Sequence, residues 1–243
     1  MAVGEDVAVV SAAAAAPTTS NGRSINYWNQ INGQTYTNWE QEVVIFEANA
    51  HVQTGITGTM YYGPSWQLGI TRNLLPSAGF FFSMQAATDM QAPPGGTCFV
   101  SSSGRVCSTP VGEEVVGKTI KLFLVKSNRT NGEDLWWSAW ALIQTNGRGF
   151  YLGQLKAPYQ GAISFAYDDS YAVGTSDLSD PNNPMYCVKP PARTTIVWGP
   201  PTVSSPVLSA RALTHAQSTL SGCYGPSSAA GPFYDGAVVV FGP

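Results

Sequence analysis

Charged residues are scarce in this sequence. Asp, Glu, Lys and Arg make up only 11% of its 243 residues, with 12 Lys and Arg against 15 Asp and Glu, whereas an average soluble protein has roughly 25%. The sequence has no cluster of Lys and Arg that would neutralise several phosphates, which excludes a basic nucleic-acid-binding protein. No apolar run approaches the ~18–20 residues of a membrane-spanning helix, so no membrane span is expected.

Helical periodicity is scarce as well. Outside residues 209–217, which fit a short helix or a loop, no segment keeps apolar residues at helical spacing beyond two turns. Hydrophobic residues still make up 44% of the chain, enough for a sizeable core, which excludes disorder caused by high charge. The 25 Gly and 17 Pro residues separate short apolar and aromatic runs, a pattern typical of strands joined by turns.

These runs predict an all-β fold. In residues 118–126, period-2 alternation places Ile120 and Leu122 on one face and Lys121 and Phe123 on the other. Turn residues at 131–132 and 146–149 predict two hairpins. The predicted strands are 42–54, 56–62, 66–72, 79–87, 97–101, 114–126, 134–145, 148–155, 162–168, 194–198, 202–208 and 236–241.

The order of these strands favours an antiparallel β-sandwich or jelly roll, concanavalin-like, with few or no helices. No internal repeat recurs at a fixed period, which argues against a propeller. We expect residues 25–243 to form one domain, since sandwiches of this size commonly do. Residues 1–24 are small and polar, and are expected to form a flexible arm.

Cysteine usage and a glycosylation triplet bear on the compartment. The cysteines are Cys98, Cys107, Cys187 and Cys223, and four cysteines allow three pairings among which sequence cannot choose. A local Cys98–Cys107 bond would close a hairpin; four reduced cysteines in a cytosolic protein are the alternative. The triplet at 128–130 lies in a predicted turn and favours a secreted glycoprotein. Residues 1–16 lack a basic start and a long apolar segment, so no signal peptide is expected there.

The chain has few histidines that could serve in catalysis or metal binding. The sequence has only two histidines, His51 and His215, which excludes a three-histidine zinc site within one chain. No G-x-S-x-G motif is present, so serine hydrolase chemistry is not expected.

Glu47 is a candidate general acid or base. In a regular strand Glu40 and Glu42 share one face, while Glu47 points with Ile45 to the apolar side. Desolvation there would raise the pKa of Glu47 toward the range used in acid–base catalysis. The alternative is a strand end that returns to solvent, or a bulge that changes the face.

A second group of carboxylates lies in residues 168–183. Asp168, Asp169, Asp177 and Asp180, with two asparagines, form a set of hard oxygen ligands that Ca²⁺ prefers. We therefore consider calcium a candidate cofactor on a loop between strands. The alternative is a solvated connection whose Asp and Asn residues cap turns.

Aromatic residues are the third feature. The chain has 7 Trp, 11 Tyr and 10 Phe, and adjacent strand residues face opposite ways. Trp136 and Trp137 therefore cannot both lie in one core. Exposed rings at Tyr62, Trp66, Trp136 or Trp137 would bind sugar rings or apolar ligands by stacking. The alternative is that both sheet faces are covered.

Several motifs, taken in order, resemble those of the neprosin-like glutamic peptidases, which are secreted β-sandwich enzymes. The segment Ile45–Val52 resembles that family's strand with a glutamate, here Glu47. The Cys98 and Cys107 pair, the strand at 118–126 and the Trp136–Trp137 strand follow in the family's order. The segment Thr195–Gly199 resembles its late strand, but continues as Pro200-Pro201-Thr202 where the family has a second glutamate.

This resemblance implies a diverged hydrolase of the glutamic type. Glu47 would activate water, and an amide such as Gln67 would polarise the substrate carbonyl. One alternative is a carbohydrate-binding module with aromatic platforms and calcium. Others are a non-hydrolytic enzyme that holds an apolar small molecule in an aromatic pocket and an assembling, capsid-like jelly roll. The expected partners are accordingly an extracellular peptide, a glycan or an apolar small molecule.

Overall fold

Strands that alternate buried and half-buried side chains make up most of the described chain. The computed structural model describes residues 22–46, 51–61, 63–73, 79–101, 104–127, 136–157, 162–173, 193–222 and 236–242. Within these ranges the strands form two antiparallel sheets, and a single 3-10 turn occurs at Glu113–Val115. This arrangement confirms the predicted β-sandwich.

The first sheet has eight strands in the described residues. They are β1 (Gly22–Trp28), β3 (His51–Met60), β4 (Ser65–Asn73), β5 (Gly79–Ala86), β7 (Thr97–Ser101), β8 (Gly104–Pro110), β12 (Ile163–Val173) and β16 (His215–Gly222). Their spatial order is β16-β1-β12-β3-β4-β5-β8-β7.

The second sheet has nine strands in the same part of the chain. They are β2 (Asn38–Phe46), β6 (Met90–Gln91), β9 (Thr119–Lys126), β10 (Trp136–Ile143), β11 (Arg148–Lys156), β13 (Thr194–Trp198), β14 (Thr202–Ser205), β15 (Leu208–Ala212) and β17 (Ala237–Phe241). Their order is β15-β14-β2-β9-β10-β11-β6, and β13 pairs with the second half of β2 and with β17.

The core lies between the two sheets. Its largest side chains include Trp39, Trp66, Trp137 and Trp198, each no more than 2% exposed. In β9 the buried residues are Ile120, Leu122 and Leu124, as the alternation predicted. Burial of such aliphatic and aromatic side chains is the main favourable contribution to folding.

Both predicted hairpins are confirmed as antiparallel pairs. Strand β10 pairs with β9 from Trp137–Lys126 to Ile143–Ile120, and it pairs with β11 across the turn at 144–147. Cys98 and Cys107 lie directly opposite each other on β7 and β8 and form a disulfide. Cys187, Cys223 and the glycosylation triplet lie outside the described residues.

Several predicted boundaries were wrong, and three of them affect the topology. The strand predicted at 42–54 is the end of β2 and the start of β3, which belong to different sheets; a continuous apolar pattern does not show a change of sheet. Residues 209–217 lie in β15, β16 and their connection rather than in a helix. Strand β1 begins at Gly22, within the segment predicted as an arm, because its backbone pairs with β12 and β16.

In the ranges that the structure describes, no helix is long and apolar enough to cross a membrane.

Candidate functional site

A groove lies on the outer face of the eight-stranded sheet. It consists of two adjoining cavities of about 320 Å³ and about 120 Å³ that share Gln67 and Gln85. The larger is lined by Gln53, Gln67, Thr71, Phe81, Ser83, Gln85, Phe99, Val106 and Ser108. The smaller is lined by Thr57, Ser65, Trp66, Gln67, Gln85, Ala86 and Ala87. A partly apolar cleft with a few polar groups is the usual form of a ligand site.

The strand register brings three carboxamides to this groove. Gln67 on β4 lies directly opposite Gln85 on β5, and Gln53 projects from the same face of β3. Among the described residues that line the groove, none is charged. No hydrogen bond from a described residue engages the Gln67 carboxamide. Its donor and acceptor atoms are therefore available to a ligand.

An ion pair lies beside the groove on the same sheet face. Arg23 on β1 donates from Nε to Oδ1 of Asp169 at 2.6 Å and from Nη2 to Oδ2. The Asp169 side chain is 11% exposed, so the carboxylate is largely desolvated and held by a bidentate guanidinium. Next to it, the Tyr171 hydroxyl donates to Oε1 of Gln53.

Three aromatic rings cluster further along this face. The ring centroids of Tyr27, Phe165 and Tyr167 lie 5.5–5.9 Å from one another. Burial, with a smaller effect from the Asp169 charge, raises the pKa of the Tyr167 hydroxyl. These rings make this side of the sheet face apolar beside the ion pair.

Asp168, the residue before Asp169, points the opposite way into the core. Its Oδ2 accepts hydrogen bonds of 2.8 Å from Trp28 Nε1 and from Gln41 Nε2. Gln41 is held in turn by Trp39, whose Nε1 donates to its Oε1 at 3.1 Å. Burial raises the pKa of Asp168 well above its ordinary value, although these two donors oppose the shift. The side chain is fully buried, so this acid has no access to a ligand in the groove.

Other polar residues lie beside Asp168 between the sheets. Ser170 on β12 bonds to Thr54 and accepts from Trp198 Nε1 at 3.1 Å. Ser24 and Asn26 on β1 are fully buried, and their side-chain polar atoms have no hydrogen-bond partner among the described residues. This buried polar cluster was not predicted from the sequence, because Ser, Thr and Asn in a strand are ordinarily interpreted as solvent-facing residues.

The predicted calcium set is not brought together. Asp168 and Asp169 lie within β12, on opposite faces of the sheet, because neighbouring residues in a strand point in opposite directions. One binds neutral donors in the core and the other binds Arg23, so the two cannot share an ion. Asp177 and Asp180 lie outside the described residues, and in the described ranges no group of three or more acidic, histidine or cysteine side chains could hold a metal.

Two of the four predicted stacking residues are buried in the core. Trp66 and Trp137 are 2% and 0% exposed, which corrects the expectation that they would present a ring face to a ligand; both fill the core. Trp136 faces outward and is half-buried, because adjacent residues of a strand face opposite ways. Tyr62 lies outside the described residues.

The predicted catalytic pair is described only in part. Gln67 lies in the groove. Glu47 lies outside the described residues and stays a sequence prediction. Glu40 and Glu42 share the outer face of β2, where Glu40 pairs with Lys121 at 3.5 Å.

Comparison with known proteins gives a likeness of fold. No protein-family model and no curated protein matches the chain, so a neprosin-like relationship is not shown. Two glutamic peptidases are among the solved structures that this chain is similar to. Scytalido-glutamic peptidase with a peptide-based transition-state analogue shares 11% identity at a TM-score of 0.46, over 93% of this chain and 98% of that one. SCP-B, an eqolisin-family peptidase in complex with the tripeptide Ala-Ile-His, shares 11% identity at a TM-score of 0.43. That match also covers 93% of this chain and 98% of the other. These values assign no function to the chain.

Proposed function

We propose that the chain is a diverged hydrolase of the glutamic type that binds an extended peptide in the groove of the eight-stranded sheet. The observation that supports this most is the unengaged carboxamide of Gln67, which faces both cavities of a groove without charged lining residues. A carboxamide both donates to a peptide carbonyl and accepts from a peptide N–H. Gln67 is therefore suited to bind a peptide bond and to stabilise negative charge on its carbonyl oxygen.

Hydrolysis also needs a group that activates water. Asp169 is on the same face as the groove, but both of its oxygens accept hydrogen bonds from Arg23, so the carboxylate is already engaged. The proposal therefore keeps the sequence-predicted Glu47 as the general base. The neutral lining favours a substrate segment without charged side chains, since a charge placed there would lose water without gaining a partner.

The proposed compartment is extracellular. The Cys98–Cys107 disulfide is a bond that persists in oxidising compartments and is rare in the cytosol. The triplet at 128–130 supports the same assignment only as a sequence feature.

Cleavage of a neutral peptide library, followed by mass spectrometry from acidic to neutral pH, tests the proposal. We expect cleavage by the wild type, loss of activity in Glu47→Gln and a decrease in kcat/KM of about 10²–10³ in Gln67→Ala. Gln144→Ala is the matched control, because Gln144 is an exposed glutamine on the other sheet. Full activity in Glu47→Gln, or an equal loss in Gln144→Ala, would overturn the proposal.

A further inference from the structure

A row of three aromatic rings crosses the outer face of the nine-stranded sheet, on the opposite side of the sandwich from the groove. Phe123 on β9, Trp140 on β10 and Tyr151 on β11 lie side by side; we call them the aromatic strip. Ring centroids of Phe123 and Trp140 are 6.3 Å apart with planes at 6°, and those of Trp140 and Tyr151 are 4.8 Å apart. All three are half-buried, so part of each ring faces solvent.

A β-bulge produces this alignment. The register between β10 and β11 shifts between Ala139 and Trp140, so that Trp140 pairs with Tyr151. The extra residue, Leu152, is 1% exposed and packs in the core. Gly153 follows with a φ of 116°, a conformation that favours glycine. Without the bulge Trp140 would face Leu152 and the strip would be one ring shorter.

Hydrogen-bonding residues border the strip on both sides. One neighbouring row contains Ser138 and Gln154, joined at 3.0 Å from Nε2 to Oγ. On the other side, Lys121 lies two residues before Phe123 on β9, on the same face, and pairs with Glu40 at 3.5 Å. Glu42 lies directly opposite Lys121 on β2, so this border offers donors and acceptors with one lysine and two glutamates.

We propose that the aromatic strip binds a neutral glycan chain. The apolar faces of successive pyranose rings would pack against the exposed parts of the aromatic rings. Their hydroxyl groups would bond to the bordering amide, hydroxyl and charged groups. The two glutamates of this border repel an acidic sugar, which favours a neutral one. The strip uses residues of the other sheet, so this proposal is independent of peptide hydrolysis in the groove.

Calorimetric titration with cellohexaose tests the proposal. Trp140→Leu and Tyr151→Leu keep apolar bulk between the strands but remove a ring, and we expect each to weaken binding about tenfold. Phe46→Ala is the matched control, because Phe46 is an exposed aromatic residue of the same sheet, 41% exposed and outside the strip; it should bind as the wild type does. Thermal unfolding of each variant shows that it is folded.

Four outcomes would overturn the proposal. The first three are no heat of binding with wild-type protein, an equal loss in Phe46→Ala, and equal affinity for hexagalacturonate, an acidic chain of the same length. Stable Trp140→Leu protein with wild-type affinity would equally show that the strip only stabilises the sheet.

Discussion

Trp28 and Asp168 lie on neighbouring strands and are joined inside the core by a hydrogen bond of 2.8 Å from the indole nitrogen to Oδ2. The carboxyl has no cationic partner among the described residues, and its Oδ1 has no hydrogen-bond partner. Burial of an ionised carboxyl among neutral donors is costly, so the folded protein favours the protonated acid.

The first prediction concerns the pH dependence of Asp168. Because the folded state raises its pKa above the ordinary 3.8, its contribution to stability is fully present below that value. The contribution is lost as pH rises through the raised pKa of the folded state. Asp168→Asn has no proton to lose and should therefore gain stability relative to the wild type as pH rises. Thermal unfolding from about pH 3 to about pH 8 measures this difference.

Asp89→Asn, at an exposed position, is the control for this substitution. It should leave the pH profile parallel to that of the wild type. A parallel profile for Asp168→Asn would mean that the carboxyl is already ionised in the fold.

The second prediction has the opposite sign. His51 is 1% exposed, and burial lowers its pKa from 6.5 to about 4. The stability that the neutral His51 contributes is fully present above about pH 6.5. It is lost as pH falls through about 4, and the loss is on the order of 3 kcal/mol in total. His51→Gln should reduce this acid-side loss in the free energy of unfolding, measured with urea at several pH values. His215→Gln, at a half-buried histidine, should change the acid-side loss less. Equal effects of the two substitutions would argue against burial as the cause of the lowered pKa of His51.

The third prediction tests the bulge. A Cβ at Gly153 would lie 2.4 Å from the carbonyl oxygen of Gln91 and would need an unfavourable φ. Gly153→Ala should therefore destabilise the protein by about 1–3 kcal/mol in denaturant unfolding. Gly149→Ala, where the added Cβ meets nothing within 4 Å, should cost much less. Similar losses for the two variants would show that neither crowding nor φ limits Gly153.

The fourth prediction concerns the disulfide. Cys98→Ser with Cys107→Ser opens a short loop between directly paired residues, and should lower the free energy of unfolding by about 2–3 kcal/mol. Phe99, next to Cys98, lines the groove, so peptide affinity should fall as well. Reductant should weaken the wild type more than the double variant, and a wild type insensitive to reductant would contradict the prediction.

Local patterns in the sequence predicted the sandwich. The alternation around Ile120 and Leu122 identified a strand with one buried face, and the turn at 146–149 identified a hairpin, because both signals depend on near neighbours. The sequence did not show where the chain changes sheet between Phe46 and His51, since that depends on which distant strand each segment pairs with.

The candidate site was predicted less well. Gln67 was singled out as an amide that would polarise a substrate carbonyl, and that role stays a prediction. Its alignment with Gln85 depends on the register between β4 and β5, which the sequence pattern does not show. Asp168 and Asp169 were grouped as neighbours in sequence, but the pleat of β12 separates them to opposite faces. The aromatic strip was missed because a bulge, invisible in the pattern, brings Tyr151 opposite Trp140.

The carboxamide of Gln41 connects the two sheets. Its Nε2 donates to Asp168 on β12 and to the carbonyl oxygen of Gly199, beyond β13, at 2.8 and 3.0 Å. The Gly199 N–H in turn donates to the Glu42 carbonyl at 2.9 Å. Opening the segment between β13 and β14 would therefore expose a buried acid on the other sheet. The amide hydrogens of β12 around Asp168 and those of the segment between β13 and β14 should therefore exchange with solvent together, as one cooperative unit.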